Sequence, residues 1–256
     1  GELLGRGAFG KVYAAMDLRS GEMLAVKQVK VEKRPDGRVD PKLVALQREI
    51  ALLEELDHPH IIKYLGTQRT RGRLNIFLEH ASEGSIQQVL KKMGPLSELI
   101  IRKYTAQLLD GLEYLHSCGV IHRDVKCSNV LLNKGQVKLA DFGCSKKTYF
   151  TSDASEHQHS MIGTTIYMAP EVMKSDGHAD DDAAGDCKES GLQSRMTTSP
   201  AAALGVETRD MVTTAKSGYG RKADIWSLGM CVLEMAHGKP PYSSPAVAIY
   251  KVCLTD

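Results

Sequence analysis

The sequence lacks the features that mark several special classes of protein. No apolar run approaches the roughly 18 residues that a membrane-spanning helix needs. The formal net charge is only +2, which is too small to indicate a nucleic-acid partner or an anionic membrane surface. Internal repeats are also absent. The expectation is a globular protein with no membrane span and no nucleic-acid partner.

Cysteine usage excludes two further classes of protein. The six cysteines include no C-x-x-C pair, so the sequence indicates neither a zinc site nor a disulfide framework. Reduced thiols are the remaining interpretation, and they are typical of the cytosol and the nucleus. The sequence therefore predicts a cytoplasmic protein that can also enter the nucleus.

What the chain does contain is an ordinary globular composition. It has 256 residues, of which 42% are hydrophobic and 25% are charged. This length suffices for a two-lobed globule or for two small domains.

A glycine-rich stretch, "GRGAFGKV", lies close to the first residue, with Gly5, Gly7 and Gly10 at G-x-G-x-x-G spacing. Two kinds of loop use this spacing: the dinucleotide-binding turn and the loop that covers ATP phosphates. A dinucleotide turn opens a helix. Here two β-rich segments follow instead, joined by a turn at residues 19–21. The predicted hairpin favours the ATP loop.

The hairpin also places a cation beside an apolar slot. Ala25 and Lys27 share one face of its second strand, an arrangement suited to an adenine with a triphosphate. A helix with Asp40 as N-cap and Pro41 in its first turn follows, and Glu49 interrupts its apolar stripe. Glu49 is either a carboxylate at the edge of an amphipathic face or the counter-charge of Lys27.

The centre of the chain carries the most specific pattern. His122-Arg123-Asp124 is followed by Lys126, Asn129 and then Asp141-Phe142-Gly143. This set, H-R-D-x-K-x-x-N and D-F-G in order, resembles the serine/threonine protein kinases. The resemblance implies an α+β, bilobal protein kinase-like fold with a small antiparallel β lobe plus one helix, residues 1–80, and a larger mainly helical lobe, residues 81–256. Because the chain ends at Asp256, we expect a partial kinase domain, truncated at both ends.

The resemblance implies a role for each matching residue in ATP and Mg²⁺ chemistry. Asp124 is the base or orienting group for the incoming hydroxyl, and Lys126 neutralises the γ-phosphate. Asn129 and Asp141 offer the hard oxygen ligands that Mg²⁺ prefers, while Lys27 and Glu49 form an ion pair at the phosphates. The remaining nucleotide contacts are assigned to the glycine loop, the roof and floor of the slot and the hinge backbone: Leu4, Gly5, Gly7, Gly10, Val12, Ala25, Leu78, Glu79, Ala81 and Leu131.

Substrate class and control are assigned to the segment after Asp141. Thr164, six residues before Pro170, marks serine/threonine specificity in the resembled family and meets the catalytic aspartate. Arg123 is placed to bind a phosphate that orders this segment. Ser160 is the preferred phosphorylation site, and Thr151 is kept as a second.

Within the kinases, "HPHIIKYLGT", "GVIHRDVKCSNVLL" and "GYGRKADIWSLG" resemble the MEK-kinase type of mitogen-activated protein kinase kinase kinase, in the STE group. This resemblance implies MAP kinase kinases as protein substrates, and a scaffold or an upstream kinase as further partners. Two alternatives stay open: another STE-group kinase, and a catalytically inactive pseudokinase or scaffold module.

Residues 175–216 depart from the family pattern. This insertion has eight acidic and four basic residues and no aromatic residue, so we expect it to be disordered. It is either a tolerated loop or gene-model artefact, or a docking or regulatory segment.

Overall fold

The computed structural model describes residues 1–7, 10–31, 41–70, 72–147, 165–174 and 220–253. Five predictions fall outside these residues: Asp40 as N-cap, Thr164, Ser160, Thr151 and the expected disorder of 175–216. The roles of these residues are therefore not tested by the structure.

A five-stranded antiparallel sheet forms the first part of the fold. Its strands are β1 (Leu3–Gly7), β2 (Gly10–Met16), β3 (Met23–Lys30), β4 (Tyr64–Thr70) and β5 (Arg73–Glu79), in the spatial order β1-β2-β3-β5-β4. The predicted β2–β3 hairpin is confirmed, since Met16 pairs with Met23. Gly21 has φ 75° in the connection, a conformation that favours glycine.

One helix, α1 (Pro41–Glu54), packs against this sheet. It begins at Pro41, as predicted, because proline has no backbone N–H to leave unpaired in a first turn. Leu46 and Leu53 are buried, and Leu46 belongs to a core cluster with Val29 and Ile76 of the sheet. The same packing directs Glu49 toward β3.

The rest of the described chain is mainly helical. The two-residue strand β6 (Gly84–Ser85) leads into α2 (Ile86–Met93), followed by α3 (Glu98–Ser117), α4 (Pro170–Lys174), α5 (Arg221–His237) and α6 (Pro245–Cys253). A capping box starts α2, in which Ser85 Oγ accepts from Gln88 N while Gln88 Oε1 accepts from Ser85 N. The helix α3 ends with Cys118 as its C-cap, and Gly119 follows with φ 71°.

Two pairs of short antiparallel strands lie between the end of α3 and residue 147. β7 (Val120–Ile121) pairs with β10 (Lys146–Lys147), and β8 (Val130–Asn133) pairs with β9 (Gln136–Leu139). The β8–β9 turn has positive φ at Lys134 (52°) and Gly135 (67°), as a tight two-residue hairpin turn requires. The two strands therefore form a hairpin that connects Asn129 to the segment before Asp141.

The main core fills the helical part and reaches the sheet. Its fully buried members include Leu108, Leu112 and Leu115 of α3 with Val137 and Leu139 of β9. Backbone hydrogen bonds from Ile62 N to Leu139 O (2.9 Å) and from Leu139 N to His60 O (2.9 Å) tie the segment before β4 to β9. The predicted α+β fold class is confirmed. Within the described ranges, no helix combines the length and apolar character needed to cross a bilayer.

Candidate active site

The glycine loop lies at the edge of the sheet, where β1 turns into β2. Gly7 pairs with Gly10 across this hairpin. A Cβ on Gly10 would collide with the Gln28 carbonyl, so only glycine allows β2 to pass this close to β3. A Cβ on Gly5 would meet no protein atom within 4 Å. The fold itself does not require glycine at position 5, which leaves space there for a ligand.

The strand register brings the predicted slot residues onto one face of the sheet. Val12 pairs with Lys27, and Ala25 pairs with Leu78. Directly paired residues share a face, and so do residues two apart in one strand. Val12, Ala25, Lys27 and Leu78 therefore line the same side, with the cation at one end of an apolar strip.

Lys27 is the centre of a buried charge cluster. Its Nζ lies 2.7 Å from Glu49 Oε1 and 3.5 Å from Asp141 Oδ1, and Lys27 and Glu49 are both buried. Burial lowers the pKa of Lys27, but the carboxylates of Glu49 and Asp141 outweigh it, so this pKa lies above its ordinary value. Of the two interpretations of Glu49, the structure supports the counter-charge.

The Lys27–Glu49 pair gives a testable prediction. We expect Lys27→Met to lower kcat/KM for ATP by about 100-fold, because one preorganised donor at a transferring phosphoryl group contributes on this order. Glu49→Gln is expected to lower it less, since Lys27 keeps Asp141 nearby. The double variant should have a kcat/KM no lower than that of Lys27→Met, because both substitutions disrupt the same ion pair. Initial rates at varied ATP concentration measure kcat/KM, and Lys30→Met, at an exposed lysine of the same strand, is the matched control. A double variant whose loss of kcat/KM equals the product of the two single losses would contradict the prediction.

The same variant has a pH signature in its stability. Burial raises the pKa of Glu49 above its ordinary value, and Lys27 opposes that rise. In Lys27→Met the opposition is gone, so the folded state holds the Glu49 proton more tightly than the unfolded chain does. The contribution of Glu49 to the stability of Lys27→Met is then greatest at pH values below the ordinary carboxyl pKa. It is lost as the pH rises through the raised pKa of Glu49 in the folded state. Urea unfolding across pH 4 to 8 (about the carboxyl range and above) should show that the free energy of unfolding falls more steeply with rising pH in Lys27→Met than in the wild type.

Lys126 and Asn129 form a hydrogen-bonded cluster around the carboxylate of Asp124, in the loop after β7. Asp124 Oδ2 accepts from Lys126 Nζ (2.7 Å) and from Asn129 Nδ2 (2.8 Å). Asn129 Nδ2 also donates to the Asp124 carbonyl at 2.9 Å. Asp124 and Asn129 are buried, so their orientation is fixed by these bonds and by packing.

Asp224 of α5 holds the backbone of this loop from below. It is buried and accepts from His122 N (2.9 Å), Arg123 N (2.8 Å) and His116 Nε2 (2.8 Å). Arg123 has φ 68°, which costs energy for a residue with a side chain. The carboxylate of Asp224 thus stabilises the strained backbone that presents Asp124.

His122 and Phe142 connect the two halves of the central motif. Both are buried, and their ring centroids lie 5.0 Å apart. Asp141, next to Phe142, has φ 66° and a side chain that is 45% exposed. The packed rings anchor the segment, while the strained neighbour turns its carboxylate toward Lys27 and the open slot.

The hinge lies at the end of β5 and just after it, with Leu78 and Glu79 as the last two residues of the strand and Ala81 beyond it. Leu78 and Leu131 are half-buried, and Leu131 lies on β8, below the sheet. The Ala81 carbonyl accepts from Gly84 N at 3.4 Å. Glu79, predicted to act through its backbone, also uses its carboxylate: Asn133 Nδ2 (3.0 Å) and Lys138 Nζ (2.8 Å) donate to it.

Comparison with known proteins decides the family. Residues 1–184 match the family described as "Protein kinase domain". The chain belongs to the protein kinase family. Within this family it is 41% identical over 246 residues to "Mitogen-activated protein kinase kinase kinase 3" of Arabidopsis thaliana, which covers 95% of this chain and 31% of that protein. The predicted resemblance to these kinases is confirmed.

Two further relatives come from other kingdoms. "Mitogen-activated protein kinase kinase kinase A" of Dictyostelium discoideum is 37% identical, over 95% of this chain and 21% of that protein. The Pyricularia oryzae protein MST11 is also 37% identical, over 98% of this chain and 24% of its own length. The chain spans a third or less of these relatives.

Protein kinases use ATP and a divalent metal ion, and the residues present fit such an ion. Asn129 donates its amide to Asp124, which leaves Asn129 Oδ1 without a hydrogen bond from any described residue. Asp141 Oδ2 is equally without a described donor. These two oxygens suit an ion that is bound through few protein ligands together with phosphates.

Sequence reasoning missed two contacts of this kinase. Tyr167 hydrogen-bonds to Glu234 inside the protein, and Ser227 Oγ donates to the Tyr167 carbonyl at 2.8 Å. The carboxylate of Glu79 was missed as well. The available signals were a glutamate at 234 inside the apolar run 228–236 and a glutamate at 79 directly after the apolar run 76–78.

Proposed function

We propose that this chain is the catalytic domain of an ATP-dependent serine/threonine protein kinase that phosphorylates MAP kinase kinases. The observation that carries the proposal is the convergence of two clusters. Lys27 lies between Glu49 and Asp141, and Asp124 is held by Lys126 and Asn129. The names of the relatives support the choice of MAP kinase kinases as substrates.

Phosphate binding is assigned to Lys27 and to the glycine loop of Gly5, Gly7 and Gly10. Glu49 keeps the Lys27 ammonium in place, so that its charge offsets that of the phosphates. Asn129 and Asp141 would hold Mg²⁺, which neutralises charge between the phosphates when bound.

Proton handling is assigned to Asp124. Its carboxylate orients the substrate hydroxyl and accepts its proton as the phosphoryl group is transferred. Lys126, already in contact with this carboxylate, places a second positive charge beside the γ-phosphate. Lys126 and Thr164 together support serine and threonine as acceptors.

Adenine binding is assigned to the slot between the sheet and β8. Leu78 limits the depth of the slot, and the backbone of Glu79 and Ala81 offers hydrogen bonds to the adenine edge. The apolar contacts come from the roof and the floor: Leu4, Val12, Ala25 and Leu131.

Regulation and location complete the proposal. Arg123 binds a phosphorylated activation segment, with Ser160 preferred over Thr151 as its phosphorylation site. A scaffold or an upstream kinase would act on that segment. The described cysteines are all free thiols, which supports a cytoplasmic protein with access to the nucleus.

Phosphoamino-acid analysis tests the substrate class. The protein is incubated with γ-³²P-labelled ATP, Mg²⁺ and an inactive MAP kinase kinase, and the labelled product is hydrolysed to free amino acids. We expect label on phosphoserine or phosphothreonine in the MAP kinase kinase and none on phosphotyrosine. Label on tyrosine would contradict the acceptor class, and ATP binding without any transfer would favour a scaffold module.

A further inference from the structure

The Glu79 carboxylate contacts both sides of the hinge. On the sheet side, Lys63 N donates to its Oε2 at 3.3 Å, and Glu79 N donates to the Lys63 carbonyl at 2.9 Å. On the other side, Asn133 of β8 and Lys138 of β9 donate to it at 3.0 and 2.8 Å. One side chain thus joins the start of β4 to the β8–β9 hairpin.

These contacts lie beside the residues that frame the adenine slot. Glu79 directly follows Leu78, at the roof. Lys138 is the cross-strand partner of Leu131, at the floor, so the two share a face of the hairpin. The ion pair between Glu79 and Lys138 therefore joins β5, the strand that carries Leu78, to β9, the strand that pairs with Leu131.

Burial makes this pair stronger than an ordinary surface ion pair. The side chains are only 15% exposed for Lys138 and 21% for Glu79. Partial exclusion of water reduces screening, and a carboxylate with three donors has little freedom to reorient. By contrast, the carboxylate of the nearby Glu83 accepts from the turn of the hairpin, at Lys134 N (2.7 Å) and Gly135 N (3.0 Å), and from Ser82 Oγ (3.1 Å).

We propose that Glu79, through its carboxylate and Lys138, is a positioning residue for ATP: it holds the hinge and Leu131 at the spacing that adenine requires. The inference rests on the proposed function. The pair coexists with the Lys27–Glu49 contact in this structure.

Binding of a fluorescent ATP analogue to the full chain tests this. We expect Glu79→Gln and Lys138→Met each to raise the Kd by about three- to tenfold. The double variant should match the weaker-binding single variant, and Lys138→Arg should stay near the wild type because it keeps the ion pair. In kinetic assays KM for ATP should rise in step, with kcat and KM for the protein substrate nearly unchanged.

Glu83→Gln is the matched control, since it removes a hinge carboxylate bound to the same hairpin but not to Lys138. It should lower the melting temperature and leave the Kd within about twofold. If Glu79→Gln does not fold, Lys138→Met carries the test alone. Wild-type Kd values in both folded variants, or multiplicative effects in the double variant, would overturn the inference only. A wild type that binds no nucleotide would overturn the proposed function with it.

Discussion

Asp124→Asn is expected to lower kcat by about 100- to 10,000-fold, which is the range that a positioned proton acceptor supplies. The Asp124 carboxylate is the proton acceptor in this cluster, because Lys126 Nζ and Asn129 Nδ2 are both donors. An asparagine fits the same space and can keep one acceptor contact, so the loop should stay folded. ATP affinity is expected to change little, because Lys27 and Asp141 remain.

Steady-state rates and a separate ATP-binding titration measure the two quantities. Asp57→Asn is the matched control, because Asp57 is an aspartate with a highly exposed side chain, and its variant should retain full activity. If Asp124→Asn kept a third or more of the wild-type kcat, Asp124 could not be the proton acceptor.

Asp224→Ala is expected to cause the largest loss of stability in the described chain, about 3 to 5 kcal/mol in the free energy of unfolding. The substitution leaves His122 N and Arg123 N buried without their acceptor and removes the partner of His116. The backbone of Arg123, at φ 68°, then loses the contact that stabilises it. We therefore expect kcat to fall as well, even under conditions where the variant is folded.

Urea unfolding followed by circular dichroism measures the stability term. Asp224→Asn separates charge from shape, since its carbonyl can accept from Arg123 N while its amide cannot accept from His122 N. We expect it to lie between the wild type and Asp224→Ala. An Asp224→Ala variant within 1 kcal/mol of the wild type (roughly the effect of an ordinary substitution) would show that the loop does not depend on this carboxylate.

Much of the site was predictable because its residues are close in sequence or flank simple turns. The β8–β9 hairpin follows from Lys134-Gly135, and it connects Asn129 to Asp141. The helix start at Pro41 and the apolar stripe around Glu49 likewise follow from local rules. The Lys27–Glu49 contact bridges only 22 positions, and the cost of burying an unpaired charge leaves few candidates for the partner.

The remaining contacts are long-range and depend on tertiary packing. Asp224 and Arg123 are 101 positions apart, so no local rule connects them. The resemblance to the protein kinases implies that Asp224 caps the catalytic loop, and the bonds from His122 N and Arg123 N confirm it. Glu79 was assigned by its backbone, because the family resemblance implies that the residue at this position meets the adenine through main-chain atoms. Its carboxylate gains a role only when the fold brings β9 beside the hinge. The strained φ of Asp141 is equally a product of the surrounding packing of Phe142 and His122.

Single-turnover transfer of ³²P from ATP to an inactive MAP kinase kinase tests the central claim most directly. Wild type and Asp141→Asn are compared with the protein, ATP and Mg²⁺ at saturating levels, so that binding differences do not enter. We predict rapid incorporation by the wild type and a rate about 1,000-fold lower for Asp141→Asn. Equal incorporation by the two proteins would contradict the assignment of this site as the centre of phosphoryl transfer.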